Sequence, residues 1–83
     1  MIKVLYFASL REQLGVSSEE ITLSQPEISL SDLVAKLAAR GAEWQQLSGN
    51  KHVRVAVNQT LVTNDAIIKS GDEVAFFPPV TGG

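Results

Sequence analysis

The chain has 83 residues, enough for one domain with a modest hydrophobic core. Its net charge of −2 and the absence of a lysine- or arginine-rich run argue against nucleic acid as a partner. With no cysteine, disulfides, thiolate metal sites and a cysteine nucleophile are excluded. No apolar run is long enough to cross a bilayer, and the first residues enter a strand pattern rather than a signal peptide, so we expect a cytoplasmic protein with no membrane partner.

The first half of the chain predicts two strands and two helices. Residues 2–8 are almost continuously apolar, which is typical of a central strand. A capping box with Ser9 as N-cap predicts a short helix that runs to about Leu14 and is followed by Gly15 as the C′ residue. The alternation over residues 20–24 predicts a half-buried strand. A second cap, at Ser29, begins the clearest amphipathic helix, because apolar residues recur after it at helical spacing.

The second half predicts one further helical turn and three strands. Residues 42–47 are compatible with the helical turn, and alternating valines over residues 53–57 predict a strand. A turn leads to a short strand at residues 61–62, and a turn at residues 70–73 leads to the last strand, residues 74–77. The first and last strands are the most apolar, so we expect them side by side. This order indicates an α+β domain of the β-grasp kind: a mixed sheet of about five strands with one main helix across one face.

Few residues form a catalytic or metal-binding pattern. His52 has no cysteine or histidine partner in the sequence, so it is interpreted as a solvated residue at a strand end. The carboxylates of Asp65, Asp72 and Glu73 fall in turns, and Asp72 is interpreted as a turn residue. Trp44 is interpreted as an anchor for the segment after the main helix. We therefore expect no metal site and no bound cofactor.

One set of aromatic residues predicts a surface. If Phe76 faces the helix, alternation turns Phe77 to the opposite face, and Phe7 is likewise opposite to Tyr6. Phe7 and Phe77 should then lie together on the open face of the sheet, with Leu61 joining them from the short strand. Two interpretations remain open: the short helix and loops cover this face, or the face is an exposed apolar docking surface.

The pattern of the last residues predicts a flexible C-terminal Gly-Gly tail. The Pro-Pro pair after the last strand cannot donate to a strand ladder, so we expect a domain over residues 1–77 and a tail over residues 78–83. When extended, the tail would reach roughly 20 Å at about 3.3–3.6 Å per residue. Because glycine has no Cβ, Gly82 and Gly83 could pass through a narrow channel and present the terminal carboxylate to another protein.

The C-terminal segment Asp72–Gly83 closely resembles the end of the small, sulfur-carrying subunits of molybdopterin synthase, a family of ubiquitin-like sulfur carriers. The segments Met1–Ala8 and Val57–Val62, with Arg11 and Glu12, are similar to the same family. The resemblance covers essentially the whole chain. Related sulfur carriers keep the Gly-Gly but not usually the Phe-Phe-Pro-Pro-Val-Thr before it.

The resemblance implies that an E1-like adenylyltransferase consumes ATP to adenylate Gly83, and that sulfur transfer then forms a thiocarboxylate there. The chain would be a non-catalytic carrier, and its tail would enter the large synthase subunit, within a heterotetramer, to give sulfur to cyclic pyranopterin monophosphate. The residues that thread the tail would be Pro78, Pro79, Val80, Thr81 and Gly82. The residues that bind partners would be Phe7, Arg11, Leu61 and Phe77.

Two other functions share the fold and the Gly-Gly end. One is a sulfur carrier for thiamine thiazole or for a thiolated tRNA base, which would use a different acceptor enzyme. The other is a ubiquitin-like modifier that is joined to lysines through Gly83. The terminal motif favours the molybdopterin carrier over both.

Overall fold

A computed structural model describes residues 1–49 and 53–78 of the chain. Its first half contains β1 (Ile2–Tyr6), α1 (Ala8–Leu14), β2 (Ser18–Ile21), β3 (Glu27–Ser29), α2 (Leu30–Ala38), a 3₁₀ turn (Ala42–Gln45) and α3 (Gln46–Gly49). Its second half contains β4 (Arg54–Val57), β5 (Thr60–Val62), β6 (Ile67–Lys69) and β7 (Glu73–Phe77). The helical turn predicted for residues 42–47 is confirmed, and His52 lies outside the described residues.

The predicted α+β, β-grasp fold is confirmed. A mixed five-stranded sheet has the order β2-β1-β7-β4-β5, with β1 and β7 parallel at its centre and the other neighbours antiparallel. The first and last strands are therefore adjacent, as their apolar composition predicts. A second sheet consists of β3 and β6, which have three residues each. The sequence pattern did not predict it, because a strand of three residues is too short to show a clear two-residue periodicity.

The core lies between α2 and one face of the five-stranded sheet. Alternate residues of the two central strands point into it: Ile2, Val4, Tyr6, Val74 and Phe76. The apolar stripe of α2 covers them with Leu30, Leu33, Val34 and Leu37. This inner face is therefore filled, while the other face of the sheet carries no main helix.

The two predicted helix starts have different outcomes. At α2 the cap is confirmed, because the Ser29 Oγ accepts a hydrogen bond from the Asp32 backbone N–H at 3.1 Å. At α1 the prediction was wrong: Ser9 lies inside the helix, and Phe7 is the N-cap with no side-chain capping bond. The cause is a contact between distant segments. The Phe7 backbone N–H donates a hydrogen bond to the Phe76 carbonyl at 3.2 Å, which extends the pairing of β1 with β7 as far as Phe7.

The predicted ends of the elements are partly wrong. α1 does end at Leu14, as predicted, and Gly15 after it adopts a left-handed φ of 76°. The strand predicted for residues 20–24 lies earlier, at Ser18–Ile21, because its register is set by antiparallel pairing with β1. The strand predicted for residues 53–57 is confirmed as Arg54–Val57.

Candidate functional site

Two stacked phenylalanines mark the open face where the last strand ends. Phe7 follows β1 and Phe77 ends β7, and their rings are parallel within 4° with centroids 4.9 Å apart. Phe7 remains 40% exposed, so neither α1 nor a described loop covers the pair. The structure therefore favours an exposed apolar surface over a face that is covered by the short helix and loops.

Leu61 joins this pair across a shallow groove. It lies opposite Ala56 in the β4–β5 register and is 61% exposed. A depression of about 380 Å³, here called the open-face groove, is lined by Leu5, Phe7, Ala56, Gln59, Leu61, Glu73, Ala75 and Phe77. The structure thus brings together three of the four predicted partner-binding residues. Arg11 is exposed on α1 and does not line the groove, and the role of all four in partner binding stays a prediction.

A second ring pair lies on the inner side of the same two strands. Tyr6 stacks on Phe76 with centroids 5.8 Å apart and planes 13° apart. Rings therefore pack on both faces of the β1–β7 pair immediately before the chain leaves the sheet at Pro78, which is half-buried and in no strand. The other predicted tail residues, Pro79, Val80, Thr81, Gly82 and Gly83, lie outside the described residues, so their threading role stays a prediction.

An ion-paired network lies on the inner side of the five-stranded sheet, and the sequence pattern did not predict it. The Arg40 guanidinium donates two hydrogen bonds to the Glu19 carboxylate at 2.8 and 2.9 Å, and the Tyr6 hydroxyl donates to the same carboxylate at 2.8 Å. The guanidinium also lies 4.7 Å from the centroid of the Trp44 ring, which contacts Tyr6 edge to face. Trp44 is thus an anchor, as predicted.

The ionisation of this network makes it structural rather than catalytic. The hydrogen bonds from Arg40 hold the pKa of Glu19 below its ordinary value, against a smaller opposing effect of burial. Burial, reinforced by the hydrogen bond to Glu19, raises the pKa of Tyr6 far above its ordinary value. Neither group changes its charge near neutral pH, so neither suits proton transfer. No sequence signal pairs Glu19 with Arg40, because they come together only through packing.

The turn carboxylates are also structural. Asp72 accepts hydrogen bonds from the Lys69 backbone N–H at 2.8 Å and the Asn58 side-chain amide at 3.1 Å, which lower its pKa and confirm it as a turn residue. Asp65 accepts a hydrogen bond from the Thr63 hydroxyl, which lowers its pKa.

Within residues 1–49 and 53–78, no group of three or more histidines and carboxylates could hold a metal ion. No helix in this part of the chain is long and apolar enough to span a membrane.

A larger depression lies away from the two central strands, β1 and β7. It measures about 540 Å³ and lies beside α2 and the two-stranded sheet, with Leu23, Ile28, Asp32, Lys36 and Ile67 among its lining residues. None of the residues that line it belongs to β1 or β7. The open-face groove is therefore the candidate site, because it is lined by the last strand, β7, which directly precedes the predicted tail.

These features define a ubiquitin-like protein with an exposed apolar groove beside the end of its last strand. The chain belongs to the ThiS family, whose model matches residues 4–83. It is 45% identical to the molybdopterin synthase sulfur carrier subunit of Escherichia coli (strain K12) over 83 residues, 100% of both chains.

Solved structures show the same likeness. A putative molybdopterin converting factor, subunit 1, from Pyrococcus furiosus is 33% identical, with a TM-score of 0.76 over 95% of this chain and 97% of that one. A chain in a complex of subunits 1 and 2 of the molybdopterin-converting factor from Helicobacter pylori is 23% identical, with a TM-score of 0.66 over 99% and 97% of the two chains. At that identity the second likeness concerns the fold alone.

Proposed function

We propose that the protein is the sulfur carrier subunit of a molybdopterin synthase and acts in molybdenum cofactor biosynthesis. The observation that carries the proposal is the 45% identity to a curated sulfur carrier subunit over the full length of both chains. The geometry supports it, because the exposed Phe7–Phe77 stack lies at the end of β7, directly before the C-terminal residues 78–83. A carrier needs a docking face and a reactive end, and the groove beside this stack is lined mainly by apolar side chains, as a docking face requires.

The chemistry requires activation by another protein. A carboxylate is a poor electrophile, so an E1-like enzyme uses ATP to convert the Gly83 carboxylate into an acyl adenylate, with release of pyrophosphate. A sulfur donor then displaces AMP and leaves a thiocarboxylate. Activation of this kind takes place in the cytoplasm, where ATP is available.

The second stage takes place in the large synthase subunit. The open-face groove docks on that subunit, and residues 78–83 carry the thiocarboxylate to the cyclic pyranopterin monophosphate. Because the dithiolene of the product contains two sulfur atoms, two charged carriers act for each product. The complex is a heterotetramer in which the large subunit provides the substrate pocket and the acid–base groups.

Reconstitution tests the proposal. The purified chain is incubated with the E1-like enzyme, ATP and a sulfide source, and mass spectrometry follows the replacement of one oxygen by sulfur at Gly83. The charged carrier is then mixed with the large subunit and cyclic pyranopterin monophosphate, and molybdopterin is measured by fluorescence after oxidation. A chain without Gly83 is the control.

The competing functions predict different products. Sulfur delivery to a thiazole synthase or a tRNA thiolase, with none to the pyranopterin, would favour another carrier pathway. A ladder of lysine conjugates after incubation with cell extract and ATP would favour a protein modifier. Either result, in the absence of molybdopterin formation, would overturn the proposal.

A further inference from the structure

The charged residues of the open face lie at its two ends. Leu5 and Phe7 point to this face, so Lys3 does too, and the register places Glu20 and Glu73 on either side of it. This row lies at the end of the sheet away from the tail and has a net charge of −1. At the tail end, Arg54 lies opposite Phe77 in the β4–β7 register and is exposed.

The groove therefore lies between an acidic end and a basic end. Glu73 and Phe77 are four residues apart on β7, which separates the two ends by about 13 Å at 3.3 Å per residue. That exceeds the screening length of about 8 Å at physiological ionic strength, so a partner meets the two ends as separate charges. Among the described residues, neither Arg54 nor Glu73 forms a salt bridge; the Arg40–Glu19 pair lies on the inner side.

We propose that this charge separation sets the orientation in which the carrier docks on the large synthase subunit. The partner would present an acidic group beside the mouth of the tail channel, facing Arg54, and a basic group about 13 Å away, facing Glu73. Hydrophobic contact with the groove is non-directional and cannot by itself align the tail with the channel. In the reversed orientation, Glu73 would face the acidic group of the partner and Arg54 would face the basic group. This repulsion disfavours docking in which the tail points away from the channel. The identity of the partner rests on the proposed function.

Two charge reversals of opposite sign test the orientation. Arg54→Glu lowers the net charge by 2 and Glu73→Lys raises it by 2, so an effect of net charge alone would change association in opposite directions. An oriented face predicts that both variants associate with the purified large subunit at least tenfold more slowly at about 0.1 M salt, where the screening length of about 10 Å is still shorter than the separation of the two ends. At about 1 M salt, where the screening length is about 3 Å, both should approach the unmodified protein. The rate constants are measured by stopped-flow fluorescence anisotropy.

Matched controls carry the same charge changes away from the face. Lys36→Glu on α2 and Glu43→Lys in the 3₁₀ turn change exposed residues outside the open-face groove, and each should change the rate less than threefold. The neutral variants Arg54→Gln and Glu73→Gln should show intermediate slowing. Melting curves establish that each variant is folded. If a charge-reversal variant does not fold, the corresponding neutral variant takes its place in the rate comparison.

The outcomes separate this inference from the proposed function. If the unmodified protein does not bind the large subunit, the proposed function fails. If it binds, but Arg54→Glu and Glu73→Lys act in opposite directions, match their controls or slow association independently of salt, the oriented face is refuted and the carrier function stands.

Discussion

Substitution of the two adjacent phenylalanines of β7 should separate stability from partner binding. Phe76 is fully buried and stacks on Tyr6 in the core, whereas Phe77 is half-buried and stacks on Phe7 at the surface. We expect Phe76→Ala to destabilise the domain strongly, and Phe77→Ala to weaken binding to the large subunit with a smaller loss of stability.

The magnitudes follow from burial. Loss of a fully buried phenylalanine ring costs about 3–5 kcal/mol, from a total stability of about 4–12 kcal/mol for a domain of this size. Phe77→Ala loses a stacked pair, which contributes about 0.5–1.5 kcal/mol beyond its buried area. As a central aromatic anchor, Phe77 should contribute about 2 kcal/mol or more to binding, which corresponds to roughly a thirtyfold rise in Kd.

Urea unfolding at neutral pH measures the first effect, and calorimetric titration with the large subunit measures the second. Phe76→Leu is the matched control, since it keeps part of the buried volume and should cost less than Phe76→Ala. The reasoning is refuted if Phe77→Ala destabilises the domain more than Phe76→Ala does, or if Phe77→Ala is folded and binds with an unchanged Kd.

Three further predictions concern the tail, the inner network and the helix caps. Removal of Gly83 should abolish thiocarboxylate formation with an unchanged melting temperature, and Gly82→Ala should slow sulfur transfer far more than it changes stability; a fully active truncated chain would contradict the carrier function. Glu19→Gln should lower the free energy of unfolding at neutral pH and flatten its acid dependence. The reason is that a lowered folded-state pKa contributes stability fully above the ordinary value of 4.5, which is lost as the pH falls through the folded-state pKa. Parallel urea titrations of both proteins above and below pH 4.5 check this, and identical pH profiles would disprove it. Ser29→Ala should cost about 1 kcal/mol in urea unfolding, while Ser9→Ala, which removes no cap, should cost clearly less; equal losses would be inconsistent with the observed helix starts.

Local sequence patterns determined the order of most elements and the two faces of the central strands. The alternation of β7 alone separates Phe76 from Phe77, because side chains of a strand point to opposite faces with a period of two residues. The side-by-side placement of β1 and β7 followed from their apolar composition, since a strand buried on both faces lies inside a sheet. The Phe7–Phe77 pair of the candidate site could therefore be predicted before the structure was known.

The tertiary structure decided what depends on contacts between distant residues. The Glu19–Arg40 pair joins β2 to the turn that follows α2, and nothing in either segment identifies the other. The start of α1 is set by the Phe7 backbone bond to β7, which overrides the local capping pattern at Ser9. The charge separation of the open face likewise arises from strand register, because only the pairing places Arg54 beside Phe77 and leaves the glutamates at the other end. A local pattern fixes which way a side chain points, but only pairing between distant strands fixes which side chains become neighbours.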